Sequence, residues 1–421
     1  MKDIYHINSN IGLTIQDVEH DLSKMLAQCS HVKKVLIIPP DYTRCFSKAG
    51  IITQLLYRAL CRTAEIDIMP AVGTHVMISD EERQKFFGNI PKSCFLHHKW
   101  QTDTVKIGEI PADVVTKISD GLFQEAIDVE VNRKFWEDDY DLILSVGQVV
   151  PHEVVGMANY SKNIFVGLGG RQMINKSHMV GALCGIEQAL GNDHAPARQV
   201  FDYAQEHYLQ GKPLIYILTV TTTTETGTAL NGLFIGKDRK AYEKAVALSQ
   251  ELNITYLDRP AKKIVAYLNP EELKTTWVGN KGIYRTRMAI ADGGELILLA
   301  PGIHAFGENE EVDTAIRKFG YIGRQKILEY YNQGCFPDQL MVPAHLIHGS
   351  SDGRFSITYA VDPSKMSREE INQVGFRYAN VFEMMERYDP EKLQEGWQTM
   401  PDGEEIYFIH NPATGLWRLR A

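Results

Sequence analysis

The chain has 421 residues, of which 44% are hydrophobic and 23% are charged, a composition typical of a globular protein with two or three domains. Its net charge of −9 argues against a general attraction to nucleic acid or acidic lipid. The six cysteines are widely spaced and form no CxxC pair, which argues against a zinc or iron–sulfur site and against a disulfide scaffold. No segment approaches the roughly 18 consecutive apolar residues of a membrane helix, and the start of the chain has no apolar signal region. We therefore expect a cytoplasmic protein.

Short β-branched runs alternate with helical patterns over the first 260 residues. The pattern predicts the following strands and helices: strands at 32–40, 66–73, 140–150 and 214–223, and helices at 48–62, 79–88, 177–190 and 238–252. Ser79 and Glu82 have the spacing of a capping box at the start of one of these helices. This alternation is typical of a parallel sheet with crossover helices, so we predict an N-terminal α/β domain over residues 1–260.

A second alternation begins after a predicted boundary at 253–263. It has predicted strands at 262–270 and 293–302 and a predicted helix at 271–291. This alternation predicts a C-terminal α/β domain over residues 261–401. The sequence leaves open whether residues 402–421 pack back on the first domain. The fold class predicted overall is α/β, with two domains that each contain a largely parallel sheet and crossover helices.

Polar side chains follow three predicted strands of the first domain. Asp41, Thr43 and Arg44 follow the first strand, His75 follows the second and His152 follows a later one. Ligands of open α/β sheets bind at the carboxyl ends of the strands, so these residues are candidates for one site. Each has a structural alternative: Asp41 or Thr43 caps the next helix, and each histidine is a structural hydrogen-bonding residue. The planar guanidinium of Arg44 suits a carboxylate or a phosphate.

A lysine, a glycine run and a second histidine follow His152 within 27 positions. Lys162 precedes an apolar run, where a lysine is costly unless it is exposed or reactive, and a desolvated amine is suited to covalent attachment of a carbonyl group. Its alternative is a surface lysine at a strand start. The Gly-Leu-Gly-Gly run that ends in Gly169 and Gly170 offers backbone amides to a phosphate, a weak signal alone. His178, at a predicted helix start, is either a surface capping residue or a metal ligand.

These residues at these intervals resemble the lactate racemase family. Its members use a nickel-pincer nucleotide, a thiocarboxylated pyridinium mononucleotide that is joined to a lysine and holds nickel. The matched motifs are a strand-end Asp-x-Thr-Arg, a Gly-Thr-His, a Pro-His with a lysine ten residues later, a histidine sixteen residues beyond that lysine, and an aromatic–lysine pair in the second domain. The residues at these positions are Asp41, Thr43, Arg44, Gly73, Thr74, His75, Pro151, His152, Lys162, His178, Trp277 and Lys281.

The resemblance implies an isomerase, a racemase or 2-epimerase of a 2-hydroxy acid that works by reversible hydride transfer to the tethered nickel-pincer nucleotide. It implies that His75 and His152 are the acid–base pair, that Lys162 is the covalent attachment and that His178 binds nickel. The further residues implied in cofactor binding are Asp41, Thr43, Arg44, Gly169, Gly170 and Trp277. Arg44 and Lys281 are implied in substrate binding.

The implied partners are a small 2-hydroxy acid and the proteins that synthesise and load the cofactor. Neither nucleic acid nor a membrane is expected. Two alternatives from other classes are a nicotinamide-dependent dehydrogenase, against which the missing GxGxxG motif counts, and a non-catalytic module that binds a nucleotide or a sugar acid.

Four positions depart from the lactate-active members. Val76 stands in place of an arginine, Tyr160 and Ser161 in place of two glycines, and Val278 in place of a glutamine. The neighbouring polar run offers hydrogen bonds that the methyl group of lactate leaves unpaired, at a cost of roughly 1–3 kcal/mol each. The side chains of that run are Asn159, Tyr160, Ser161 and Asn163. We therefore predict a sugar acid such as an aldonate, rather than lactate or malate; the alternative is that these side chains face solvent or bind the cofactor.

Overall fold

The structure, a computed structural model, describes residues 1–75, 77–224, 227–336, 340–413 and 415–420. The chain forms two compact units. The first comprises Met1–Val180 and Gly191–Asn253, and the second comprises Gly181–Leu190 and Ile254–Ala421. Among the residues that the structure describes, none of the helices combines the length and apolarity needed to cross a membrane.

Helices and strands alternate along the first part of the chain, as the sequence pattern predicts. In chain order, the elements up to residue 253 are β1 (Ile4–Ile7), α1 (Ile15–Leu26), β2 (Lys34–Ile38), α2 (Ala49–Leu60), β3 (Glu65–Ile68), α3 (Asp80–Phe87), β4 (Thr104–Ile110), α4 (Ala112–Ile118), β5 (Ile127–Asn132), α5 (Arg133–Glu137), β6 (Leu142–Gln148), β7 (Pro151–His152), β8 (Gly156–Met157), α6 (Ser161–Phe165), α7 (Arg171–Cys184), α8 (Ile186–Ala189), α9 (Pro196–Tyr208), β9 (Leu214–Thr224), β10 (Gly227–Gly236) and α10 (Arg239–Asn253).

The main sheet of the first unit has six strands in the order β1-β10-β9-β6-β2-β3. The four strands β9, β6, β2 and β3 run parallel to one another. At one edge, β10 pairs antiparallel with β9, and β1 pairs antiparallel with β10. The central strands β2 and β6 are apolar along almost their whole length because both faces of a parallel sheet are covered. Val35 lies beside Ile66 of β3 on one side and Leu142 of β6 on the other.

The capping box predicted for α3 is confirmed. The Ser79 hydroxyl accepts from the Glu82 amide at 3.2 Å, and the Glu82 carboxylate accepts from the Ser79 amide at 2.9 Å. These two bonds satisfy amides that have no partner inside the helix, and they begin α3 at Asp80.

The remaining elements build the second unit. They are β11 (Ile254–Leu257), β12 (Ala261–Tyr267), α11 (Thr276–Gly279), α12 (Lys281–Thr286), β13 (Ile290–Ala300), α13 (Glu310–Phe319), α14 (Arg324–Asn332), α15 (Met341–His348), β14 (Ser356–Val361), α16 (Arg368–Gln373), β15 (Arg377–Asn380), α17 (Val381–Arg387), β16 (Gly396–Thr399), β17 (Glu405–Ile409) and β18 (Leu416–Leu419).

The second sheet has the order β15-β14-β13-β12-β17-β16 and is parallel except for the β16–β17 pair. Alternate residues of its strands point to opposite faces, so β12 contributes Ile264 to one buried cluster and Val265 to another. The predicted class, α/β with largely parallel sheets and crossover helices, is confirmed.

The last segment of the chain lies in the second unit. The sequence left open a return of residues 402–421 to the first domain, but β17 pairs in parallel with β12, and β18 pairs in parallel with β11. Ladder hydrogen bonds to these two strands satisfy the backbone of the segment, and the apolar face of β17 is buried in the second sheet.

The prediction of one helix over residues 271–291 is wrong. Two short helices, α11 and α12, meet at Asn280, and β13 already begins at Ile290, which lies beside Ala261 of β12. Strand pairing in the buried sheet therefore overrides the helical pattern of the last residues of this segment. The helix predicted at 177–190 begins earlier, at Arg171, and is interrupted at Gly185, whose φ of 95° is a conformation that glycine adopts without strain.

Candidate active site

The site residues of the first unit follow the carboxyl ends of three neighbouring parallel strands. β3 lies on one side of β2 and β6 lies on the other, so the direction of sheet growth reverses at β2. Ligands of open α/β sheets bind in the crevice at such a reversal. Asp41 follows β2, His75 follows β3 and His152 follows β6. The topology thus brings the three predicted strand ends to one edge of the sheet.

Asp41 and His75 form a short hydrogen bond. His75 Nδ1 lies 2.6 Å from Asp41 Oδ2, and the amide and hydroxyl of Thr43 donate to Oδ1 at 3.0 and 2.5 Å. Burial raises the pKa of the Asp41 carboxyl, but the charge of His75 and these hydrogen bonds outweigh burial and lower the pKa to about 2. An ionised carboxylate only accepts, so the neutral form of His75 carries its proton on Nδ1 and has a lone pair on Nε2. The capping alternative also holds, because Asp41 caps the 3₁₀ turn Tyr42–Ser47.

His152 has the opposite arrangement. It is buried in β7, and its Nδ1 accepts a hydrogen bond from the Val154 amide at 3.1 Å. An amide only donates, so the proton of the neutral ring sits on Nε2. The Glu153 carboxylate lies 3.8 Å from the same Nδ1. One histidine therefore offers a lone pair at Nε2 and the other offers an N–H. Glu153 was not among the residues predicted from the sequence, although an acidic residue directly after a candidate histidine is a readable signal.

Lys162 is the second residue of α6 and is partly buried. Its surroundings lower the pKa of the amine to about 8, first through burial and then through the positive charge of Arg44; the carboxylates of Glu153 and Asp41 act in the opposite direction. About a tenth of the amine is therefore unprotonated at pH 7, far more than for an ordinary lysine, and the unprotonated amine is the nucleophile. The alternative of a surface lysine at a strand start is wrong, because the residue lies in the first turn of a helix.

His178 lies in the middle of α7 rather than at a helix start, so the capping alternative does not apply. Its Nδ1 donates to the Ile174 carbonyl at 2.7 Å, which leaves the lone pair on Nε2. Burial, followed by the charges of Lys162 and His75, lowers the pKa of the imidazole to about 4; the hydrogen bond to Ile174 and the charge of Glu153 act in the opposite direction. A neutral imidazole whose second nitrogen is fixed by a carbonyl has the features of a metal ligand. Among the residues that the structure describes, no three His, Cys, Asp or Glu side chains are gathered as a ligand cluster.

The glycine run has a structural explanation. A Cβ on Gly169 would lie 1.9 Å from the Phe165 carbonyl, and one on Gly170 would lie 2.6 Å from Glu130. Glu130 Oε2 accepts from the amides of Gln172 and Met173 at the start of α7, at 2.7 and 3.4 Å. Close packing thus requires glycine at both positions, and a carboxylate already occupies the helix start that a phosphate would take. The role of Gly169 and Gly170 in cofactor binding stays a prediction.

The polar run before and after Lys162 is buried and bonded inside the first unit, so it neither faces solvent nor offers these groups to a substrate. The contacts are Asn159 Oδ1 to the Tyr160 amide, the Tyr160 hydroxyl to Gln205, the Ser161 hydroxyl to Asp202 and Arg198, and the Asn163 amide to the Ile38 carbonyl and the Ser145 hydroxyl. The hydrogen-bond argument for a sugar acid therefore fails for these four side chains. Val76 lies outside the described residues.

Tyr160 has an unusual backbone conformation. Its φ is 57° and its ψ is −132°, and the preceding Asn159 has a φ of 65°. Glycine reaches such angles freely, whereas a side-chain-bearing residue held there costs on the order of 1–3 kcal/mol. The segment that leads into Lys162 is therefore strained, and the surrounding contacts must hold it.

Trp277 and Lys281 lie in the second unit, after the carboxyl end of β12. β12 lies between β13 and β17, where the direction of growth of the second sheet reverses. Lys281 Nζ lies 3.9 Å from Glu272 Oε1, and the Trp277 indole stacks on His345 with 4.0 Å between the ring centroids. His345 is in turn bonded to the Tyr321 hydroxyl at 2.8 Å. His345 was missed because nothing in its local sequence signals a contact with a residue 68 positions away.

The fold and the site together define a class: an α/β protein with a desolvated lysine, a neutral histidine and two further histidines at the sheet reversal of its first unit. The model of the lactate racemase N-terminal domain matches residues 17–191. Residues 17–191 are thus similar to the N-terminal domain of lactate racemase, which confirms the resemblance inferred from the motifs for this part of the chain.

Two solved structures share the fold. A crystal structure of a protein from Thermotoga maritima has a TM-score of 0.84 and 26% identity, and the match covers 98% of this chain and 100% of that chain. The lactate racemase apoprotein from Thermoanaerobacterium thermosaccharolyticum has a TM-score of 0.67 and 17% identity, and the match covers 97% of this chain and 90% of that chain. No curated protein matches the chain.

Proposed function

We propose that the protein is a racemase or 2-epimerase of a 2-hydroxy carboxylate and that it works with a nickel-pincer nucleotide tethered to Lys162. The family supports the reaction class. The observation that carries the proposal is the combination at one sheet edge of an amine with a lowered pKa and two histidines of opposite tautomer.

The residues of the first unit fit the proposed cofactor. The amine of Lys162 is nucleophilic near neutral pH because burial and Arg44 lower its pKa, which suits covalent attachment. His178 is neutral and has its Nε2 lone pair available for nickel, whose tetragonal sites favour nitrogen ligands. When bound, the group supplies an electron-poor carbon that takes up and returns the hydrogen of substrate carbon 2 with its electron pair.

The chain itself manages the hydroxyl proton. The C–H bond at carbon 2 is too weakly acidic for easy abstraction by histidine, so the bases act on the hydroxyl group. Nε2 of His75 accepts the hydroxyl proton, and the ionised Asp41 stabilises the resulting imidazolium through Nδ1.

His152 serves the hydroxyl of the other enantiomer. To act as a base at Nε2, its ring must give up the Val154 amide and carry a proton on Nδ1. The nearby Glu153 carboxylate stabilises that proton. Arg44 and Lys281 are the proposed cations for the substrate carboxylate and oxygen, since guanidinium and ammonium groups bind carboxylates strongly.

The substrate within this class is decided by experiment. We keep an aldonate-type sugar acid as the candidate to test against lactate and malate; its remaining support is Val76 in place of an arginine and Val278 in place of a glutamine. In a nicotinamide-dependent dehydrogenase, the second candidate, strand-end residues of an α/β sheet would hold NAD, but no GxGxxG run follows a strand in the sequence.

The test is an assay of 2-hydroxy acids deuterated at carbon 2, with protein expressed beside the cofactor-synthesis proteins. Racemisation or epimerisation with the deuterium retained in the product supports the proposal. Exchange of deuterium with solvent would instead indicate proton abstraction, and net formation of a 2-oxo acid that requires NAD would indicate the dehydrogenase. Gluconate turning over faster than lactate supports the sugar acid, and the reverse order refutes it.

A further inference from the structure

One face of helix α9 packs against residues 157–161, the segment that leads into Lys162. Arg198, Asp202 and Gln205 stand four and then three positions apart, so they share a face of the helix. The guanidinium of Arg198 donates to the Met157 carbonyl at 2.5 Å and to the Asn159 carbonyl at 3.0 Å. It also donates to the Ser161 hydroxyl, at 2.7 Å.

Arg198 is fully buried, which is unusual for an arginine. Its charge is balanced through Ser161, whose hydroxyl donates to Asp202 at 2.9 Å, and its guanidinium lies 4.8 Å from the centre of the Tyr242 ring. Asp202 is also paired with Arg239. Burying a charge costs free energy of folding even when the charge is hydrogen-bonded. The planar guanidinium contacts three acceptors at once, which a smaller side chain cannot do.

The segment needs this support because of its backbone. Asn159 and Tyr160 both have positive φ, and Tyr160 has a ψ of −132°. The Tyr160 ring is held as well, stacked 5.0 Å from the Tyr242 ring, while Gln205 bridges the hydroxyls of Tyr160 and Tyr216. Arg198 contacts the Met157 carbonyl before the strained turn and the Asn159 carbonyl inside it. These contacts restrict the peptide planes themselves, which ring packing alone does not do.

We propose that Arg198 is a positioning residue for Lys162. It holds the Asn159–Tyr160 turn in a conformation that glycine adopts freely, and it thereby fixes the start of α6 and the position of Lys162. The role of Lys162 as the cofactor attachment rests on the proposed function. The clamp on the turn does not, so the two are tested separately.

The experiment compares Arg198→Met, Tyr160→Gly and the double variant, with Val200→Ala as the matched control. Val200 is a buried apolar residue of the same helix, so its truncation destabilises α9 without removing a hydrogen bond to the segment. Each protein is expressed with the cofactor-synthesis proteins, and the fraction of folded chains with a nucleotide-sized adduct is measured by intact mass. The ¹³Cα and ¹³Cβ shifts of Tyr160, which report the sign of φ, are measured on the unloaded wild type, Arg198→Met and Val200→Ala.

Arg198→Met should lower the adduct fraction about fivefold or more, because without the three hydrogen bonds of the guanidinium most chains should leave the strained conformation of the turn. The Tyr160 shifts should move to values of negative φ. Val200→Ala should keep both near wild type. Adding Tyr160→Gly to Arg198→Met should restore at least about half of the wild-type adduct, because glycine needs no clamp.

An adduct in Arg198→Met equal to that in Val200→Ala, unmoved Tyr160 shifts, or no recovery with glycine would each overturn the proposal. If the wild-type protein takes up no adduct, the proposed function fails, and the Tyr160 shifts of Arg198→Met still decide the role of Arg198.

Discussion

Asp41→Asn is the substitution that most directly probes the histidine geometry of the site. Asparagine has nearly the same shape, and with its oxygen towards Thr43 it keeps the two bonds that Oδ1 accepts. Its amide nitrogen then faces His75 Nδ1, where the carboxylate offered an acceptor. What is removed is the negative charge and the acceptor that fixes the His75 tautomer. The substitution therefore separates the electrostatic role of Asp41 from its role as a cap of the turn that follows β2.

The pKa of Asp41 sets the size and the pH dependence of the effect on stability. A carboxyl whose pKa falls from about 4 in the unfolded chain to about 2 in the folded one contributes roughly 2–3 kcal/mol to the free energy of unfolding at pH 7. A depressed folded pKa stabilises fully above the unfolded pKa, and the contribution is lost as the pH falls from about 4 towards 2. The difference between wild type and Asp41→Asn should therefore be largest at neutral pH and vanish near pH 2.

The rate of racemisation should fall as well. Without the carboxylate, the imidazolium of His75 that forms when the hydroxyl proton is accepted loses its stabilising charge. We expect a loss of roughly a hundredfold in kcat, the usual scale for a positioned acid–base group.

Urea unfolding between pH 2.5 and 7 and turnover of the loaded enzyme at pH 7 measure the two effects. Asp21→Asn is the matched control, because Asp21 makes the same kind of bond, 2.7 Å long, to His6 outside the site. That variant should keep wild-type turnover. The reasoning is refuted if Asp41→Asn keeps near-normal turnover, or if its stability deficit stays constant down to pH 2.5.

Four further substitutions test the remaining roles. Lys162→Ala should abolish the nucleotide-sized mass adduct of the holoprotein, since no other amine takes its place; an unchanged adduct contradicts the tether. His178→Ala should lose most bound nickel while its circular dichroism stays unchanged, because one imidazole completes the metal site, and full nickel occupancy would disprove the ligand role. His152→Ala should lower turnover roughly a hundredfold, and near-normal turnover would exclude a two-base scheme. Glu153→Gln should lower turnover about tenfold if its carboxylate stabilises the protonated form of His152; an unchanged rate would contradict that role.

The site residues of the first unit could be predicted from local sequence because they lie at fixed offsets from the strand ends. The apolar runs of β2 and β6 are readable as strands buried on both faces, and the residues that follow them must reach the carboxyl edge of the sheet. Asp41 and His152 could therefore be assigned to one site without knowledge of the strand order.

The strand order, the partners of each side chain and the pKa values required the tertiary structure. The contact between Asp41 and His75 joins residues 34 positions apart, and the bond from the Val154 amide that sets the tautomer of His152 depends on the backbone path of the β7 turn. The polar run around Lys162 shows the limit of composition as a guide. Its hydrogen-bonding groups suggested a polar substrate, but they are bonded to α9, to β2 and to the strained turn itself.

The α/β class, the alternation of strands and helices and the titratable residues at the strand ends could be predicted from the sequence, because each of these depends on local periodicity and spacing. Three features required the three-dimensional structure: β17 lies between β12 and β16 in the second sheet, the segment after residue 271 breaks into two helices and a strand, and Arg198 is buried against the turn before Lys162. These features depend on pairing and burial between residues distant in the chain, whose free energies outweigh local conformational preference.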